Sequence, residues 1–463
     1  MADRGQRSTL IYWALSSCSA ALVVVFAVVI ATTPFVNWPS EAKAVPAFAQ
    51  QTGQPCEACH VGAFGPQLKP YGRDFKLFGY QSSDGKSHLP PIAMTTQISL
   101  THTQADQNPP PAPGFGANNN FAVDQTSIYY AGKLPMGWGA FAQVTYDGVA
   151  NAVSMDNTDV RRASDVTLFG KDSIVAIDFN NNPTLEDPWN STPAWGFPYN
   201  GSALAPGGNA ATLLDGGLST LVVGAGGYVL WNNTVYVDAA AYEPLPWRVA
   251  HFLGEGVDAQ SDRWLGPIPY GRVALIHDWD NAESQTMEIG AYAMQARRYP
   301  GGDPTAGTDT FTDWAVDANY QYIGTGKHVV SAHATYIHED QNLAASSVLN
   351  GTLPHNTVST ARADVSYSYS DTLTPTVQVF QTTGSFDPAL YQMGPKTEGY
   401  VVELAYTPWG KPNSPILWGN ARFALQYVGY TEFDGQRHGA SANNTLYANV
   451  WIAVAPFGAL VHR

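Results

Sequence analysis

The sequence predicts an all-β fold, a transmembrane antiparallel β-barrel of about sixteen strands closed by a small N-terminal plug segment. Three observations lead there. From Ala93 to the end the chain is a series of short runs in which apolar and polar residues alternate, split by Gly, Pro, Asn and Asp. That period of two marks strands with one apolar face. The apolar faces are rich in Ala and Tyr, while the opposite faces carry charges. A soluble sandwich would bury Val, Ile, Leu and Phe instead, so these faces suit a lipid-facing exterior and a polar lumen. Finally, charged residues make up only 13% of the 463, well below the roughly 25% of a soluble domain. Beyond the N-terminal segment no apolar run is long enough for a spanning helix.

Residues 1–44 read as a secretory signal peptide. Arg4 and Arg7 precede an apolar region densest from Ala20 to Ala31, and Ala42-Lys43-Ala44 offers an A-x-A cleavage site. A retained anchor is the alternative, since Leu10 to Val36 could span a bilayer. The polar break at Ser16-Ser17-Cys18-Ser19 and the A-x-A favour cleavage. The chain carries a formal charge of −15, and residues 1–44 hold three basic and two acidic groups, which leaves the remainder near −16. That balance argues against nucleic acid as a partner.

Residues 45–92 hold too little apolar mass for a globular domain and need outside walls. They contain Cys56-Glu57-Ala58-Cys59-His60, a C-x-x-C-H run. Such a run attaches one c-type haem: both thiols bond to the haem edge and the following His becomes an iron ligand. Zinc would need about four ligands, and the only other Cys is Cys18 in the signal region. The sixth iron ligand is open. Met94 is the leading candidate, because a thioether trans to His raises the potential. His88, His102 and an open or water-ligated position are the others. Lys69, Arg73 and Lys76 follow the motif and suit haem propionates, lumen carboxylates or simple solvation. Pro66 and Pro70 stiffen the path between them.

Residues 93–463 supply the barrel. The expected strands are 93–103, 120–132, 137–148, 158–168, 172–181, 217–229, 233–243, 267–279, 285–299, 310–323, 327–340, 358–370, 374–385, 397–408, 419–433 and 443–455. In 313–323, for example, Trp314, Val316, Ala318, Tyr320 and Tyr322 share one face, and Asp313, Asp317, Asn319 and Gln321 the other. Long and short connections alternate over much of the chain, as external loops and periplasmic turns do. An even count puts both ends on the periplasmic side. The connection from Asn180 to Tyr199 holds Glu186, Asp187, Trp189 and Trp195. Its carboxylates are hard ligands suited to divalent iron. A compact loop folded over the barrel mouth accounts for the same residues without metal, and is the favoured reading.

Three stretches carry a resemblance: FAQQTGQPCEACHVGAFGPQLKPYGRDFKLFGY, NNNPTLEDPWNSTPAWGFPY and YTEFDGQRHGASANNTLYANVWIAV. With the barrel pattern, they resemble the outer-membrane monohaem cytochrome–porin fusions associated with iron-oxidising bacteria. The resemblance implies an electron-transfer protein of the outer membrane, set in outer-membrane lipid. Electrons would pass from an external donor, with Fe(II) the leading one, to a periplasmic c-type cytochrome or other soluble carrier. An Fe(II):cytochrome c oxidoreductase is the corresponding activity. The alternative is a haem-plugged porin acting as a solute channel or redox sensor. A peroxidase-type enzyme would need a distal His–Arg pair, and the sequence offers no clear one.

Overall fold

In a computed structural model, residues 46–86, 90–280, 284–412, 414 and 419–455 are described. The signal-peptide expectation and Cys18 fall outside them, as does His88.

The barrel follows from the alternation. Its strands are β1 (Ile92–Thr103), β2 (Asn120–Leu134), β3 (Trp138–Asp147), β4 (Ala152–Leu168), β5 (Lys171–Asn180), β6 (Val222–Trp231), β7 (Val235–Pro244), β8 (Arg263–Leu265) and β9 (Ile268–Asp278). They continue as β10 (Gln285–Tyr299), β11 (Asp309–Tyr322), β12 (His328–Asn342), β13 (His355–Tyr369), β14 (Leu373–Gly384), β15 (Thr397–Tyr406), β16 (Gly419–Glu432) and β17 (Thr445–Val454). Short β8 and β9 both pair with β10 and act as one stave. Sixteen staves result, each antiparallel to its sequence neighbour. β17 closes on β1, from Met94↔Val454 to Thr103↔Thr445, so no edge is left unpaired.

Burial is inverted relative to a soluble protein. Val316 and Leu404 are 44% and 48% exposed on the outside, whereas their chain neighbours Asp317 and Glu403 are 3% and 1% exposed inside. An apolar exterior around a polar interior, with every backbone group paired in a closed sheet, is the arrangement lipid requires. The chain is therefore a membrane-spanning barrel of outer-membrane architecture. No helix among the described residues is long and apolar enough to cross a membrane.

All sixteen expected strands occur. The main displacement is β4, expected over 158–168 but starting at Ala152. Asp156 and Asn157 read as loop residues in sequence. Here Asp156 accepts hydrogen bonds from Gln143 and Thr145 of β3, at 2.8 and 2.9 Å, so the inner face tolerates it. A register shift between Ala142 and Val144 accommodates the change. The tight turns use left-handed residues: Asn232 and Asn233 have φ of 52° and 51°, the conformation a two-residue hairpin turn prefers.

The N-terminal segment lies inside the barrel. It comprises α1 (Pro46–Thr52), α2 (Cys56–Cys59) and α3 (Pro70–Leu77), the last started by a proline at its first position. It sits toward the end that carries the short turns. Gln51 Oε1 accepts from the Lys133 backbone, and Gly62 N–H and Lys69 Nζ both bond Asp371 in the β13–β14 turn. β1 begins, and β17 ends, at this same end.

Candidate functional site

Each feature of the plug turn has a local cause. The Cys56–Cys59 helix is a single turn, so it carries both thiols and hands the chain to an extended His60. Glu57 N–H bonds the Gly410 carbonyl in the β15–β16 connection. Gly410 has φ of 83°, and a Cβ there would sit 3.0 Å from Cys56 Sγ and closer still to Asn420. A Cβ on Gly72 would lie 2.5 Å from the Cys59 carbonyl, so α3 can pack on the motif only through a glycine.

Cys56, Cys59 and His60 line a cavity of about 380 Å³ within the lumen. That volume lies in the range of about 300–1,000 Å³ typical of cofactor sites. Phe48 and Phe75 of the plug form one wall, Tyr129, Phe141 and Trp451 of the barrel another. A third comes from the β5–β6 connection, through Asn190, Trp195 and Tyr199. Phe64 meets Trp451 edge-on at 5.1 Å, and Phe141 meets Trp195 at 5.7 Å.

The chemistry of this set suits haem better than the other uses of a C-x-x-C pair. A redox dithiol needs a thiol of lowered pKa. Here burial pushes both Cys56 and Cys59 up to about 12. Burial, helped by the nearby Lys69, pushes the His60 imidazole down to about 4, which keeps it neutral and able to ligate a metal. Its Nδ1 is buried without a hydrogen-bond partner among the described residues. An apolar, aromatic-walled cavity with two thiols and one neutral imidazole at its edge fits covalent haem c, with Cys56 and Cys59 as attachment points and His60 as an iron ligand.

Met94 is not brought to this cavity, contrary to expectation. On β1, Ala93, Thr95 and Gln97 face inward, and Thr95 and Gln97 line the cavity. Met94 pairs directly with Ile128, an exposed residue of the outer face. A one-residue offset on a strand reverses the face, and that parity turns the thioether toward lipid. His102 has the same parity, is exposed, and bonds Asn119 through Nδ1. Among the described residues the cavity wall offers no thioether and no second imidazole.

The basic residues after the motif are used by the lumen. Lys69 pairs with Asp371 at 2.7 Å. Arg73 donates to Gln321 Oε1 at 2.9 Å and covers the Trp189 ring at 4.1 Å. Lys76 donates to the Asp187 carbonyl at 2.6 Å and to Asn190 at 2.7 Å. The connection holding Glu186, Asp187 and Trp189 does more than cover the mouth. It descends into the lumen, where these three residues are fully buried, and completes the cavity. Sequence reading missed Tyr80, Tyr129, Phe141, Tyr199 and Trp451. Inward parity near the short-turn end was the available signal for the three on strands.

No family model and no curated protein matches the sequence. Solved structures similar to it include an anion-selective porin from Comamonas acidovorans, 10% identical, covering 78% of this chain and 98% of that one, with a TM-score of 0.44. OprB of Pseudomonas putida is 12% identical over 78% of this chain and 93% of that one, with a TM-score of 0.43. OmpT of Vibrio cholerae is 10% identical over 78% and 96%, with a TM-score of 0.39.

Proposed function

We propose that this chain is an outer-membrane c-type cytochrome that carries electrons through its barrel from an external donor, Fe(II), to a soluble periplasmic cytochrome. The observation that supports this reading is that buried Cys56 and Cys59, with half-buried His60, line one cavity inside a membrane-spanning barrel. Haem c, when bound, supplies a one-electron iron couple held inside the lumen. The chain's own residues do the rest. Cys56 and Cys59 anchor the group, and His60 presents a neutral imidazole. Phe75, Phe141 and Trp451 exclude water. The Lys69–Asp371 and Lys76–Asp187 contacts hold plug and loop in place. In this reading both termini and the short turns face the periplasm, and the long connections face outward. Electron transfer needs no nucleophile or acid–base pair, so the site requires none.

A second reading has its own support. A closed sixteen-stave barrel is porin architecture, and the chain could pass a solute or act as a haem-plugged sensor. Against an open pore, the inward residues Gln321 and Ser366 are buried where the plug meets the wall, Gln321 donating to the Leu68 carbonyl and Ser366 accepting from Gln67. One experiment separates the two. The oxidised protein is placed in sealed vesicles and Fe(II) is added outside, with haem absorption and ionic conductance followed together. Rapid reduction without steady conductance supports the electron conduit. Steady conductance with no reduction by Fe(II), while a small permeant reductant still works, would move the function to the channel or sensor.

A further inference from the structure

We infer that Asp178, Glu186 and Asp238 form a buried site for one hard divalent cation, of the Fe(II), Mn(II) or Ca(II) class, inside the barrel. The three residues come from β5, the β5–β6 connection and β7, yet one carboxylate oxygen of each lies within 4.8 Å of the others. Their exposures are 0%, 0% and 2%. Asp178 Oδ1, Glu186 Oε2 and both oxygens of Asp238 have no hydrogen-bond partner among the described residues. Buried polar atoms are seldom left so.

The remaining oxygens are accounted for. Asn180 donates to Asp178 Oδ2 at 3.1 Å and also to Glu186 Oε1, and the Tyr242 hydroxyl lies 3.0 Å from Asn180 Oδ1 and 3.2 Å from Glu186 Oε1. The nearby guanidinium groups make their hydrogen bonds elsewhere, with Arg161 Nη1 and Arg272 Nε buried and unpartnered among the described residues. Arg161 comes within 3.7 Å of Glu186 Oε2, but its Nε holds Asp159 at 2.7 Å and its Nη2 bonds the Leu185 carbonyl. Arg272 stands opposite Asp238 across the β7–β9 pair, but its guanidinium bonds Asp317 and Glu288, each at 2.8 Å. Three carboxylates this close cannot all stay charged without a counter-charge. A proton shared between Asp178 and Glu186, which lie in hydrogen-bond contact, would still leave both oxygens of Asp238 unsatisfied. Four free oxygens from three residues instead match the several-oxygen shell of a hard divalent ion, and a set with no nitrogen or sulfur disfavours softer metals.

The site has a physical link to the cavity. Tyr80, a cavity-wall residue, donates to Asp159 at 2.5 Å, and Asp159 holds the Arg161 that approaches Glu186. An ion there would tie the β5–β6 connection to two staves and so fix the wall it contributes.

The test uses the full chain in detergent, stripped with EDTA and titrated with Mn(II) by electron paramagnetic resonance. The expected result is one bound Mn(II) per chain, displaced by Ca(II). Glu186→Gln should weaken binding by about 10–100-fold or more while the barrel keeps its heat-modifiable gel migration. Asp238→Asn serves the same purpose if the first variant does not fold. A folded wild-type protein that holds no Mn(II), or a folded variant that binds it equally well, would overturn the site and leave a proton-sharing cluster. The readout is independent of haem reduction, so failure of the electron-transfer reading would leave it standing.

Discussion

The barrel wall and its contents are built on different terms. The wall is held by a repeating backbone ladder, and its apolar side chains face outward to lipid. The plug and the β5–β6 connection are held by individual side-chain contacts at named places, such as Lys69 on Asp371 and Lys76 on the Asp187 carbonyl. The wall should therefore fail through a change of polarity on one face. The contents should fail by local release that leaves the wall intact.

The largest test removes the attachment points. Replacing both Cys56 and Cys59 with Ala should abolish covalent haem, read as loss of haem stain on a denaturing gel, while the heat-modifiable barrel band persists. A barrel that no longer folds without haem would break the comparison. Next, Lys69→Ala leaves Asp371 buried with the Gly62 N–H but without its counter-charge, a loss of about 3–5 kcal/mol for a buried pair. The expected outcome is faster proteolysis of the plug and a rise in conductance, with the barrel band unchanged.

On the wall, Val316→Lys should destabilise the barrel by about 2–4 kcal/mol if the residue lies near the bilayer midplane, measured by reversible unfolding from lipid. Asn319→Gln, at a lumen-facing position of the same strand, keeps that face polar and should cost less.

The smallest effect concerns acid. Burial alone would raise the Asp187 carboxyl, but Arg272, Lys76 and the backbone N–H groups of Ser191 and Trp189 outweigh it and lower it from 3.8 to about 2. A depressed carboxyl adds stability above its unfolded value and loses it as pH falls through the folded one. Docking of the connection should therefore weaken between about pH 4 and 2, by on the order of 2 kcal/mol. Proteolysis of this segment across that range measures it. Asp187→Asn should flatten the profile.

How far the chain could be read before its fold was seen follows the same division. The wall was legible because period-two alternation is a local property, and each strand states its own two faces. Trp314 against Asp313, or Tyr400 against Glu403, needs no distant partner to interpret. Asp156 and Asn157 were misread because their polarity belongs to the lumen, which no local pattern reveals. Met94 was misplaced for a related reason. Its distance from the motif made it available as a ligand, but one step of strand parity sent it to the lipid face.

The sequence by itself determined the membrane-spanning sheet and the turn on which Cys56, Cys59 and His60 stand together, because both depend on spacing along the chain. Only the tertiary structure decided that the β5–β6 connection descends to form a cavity wall with Trp195 and Tyr199. It also decided that Lys69 and Lys76 serve the lumen, and that Asp178, Glu186 and Asp238 converge. Those contacts join residues from separate staves, and closure of the barrel is what brings them within reach of one another.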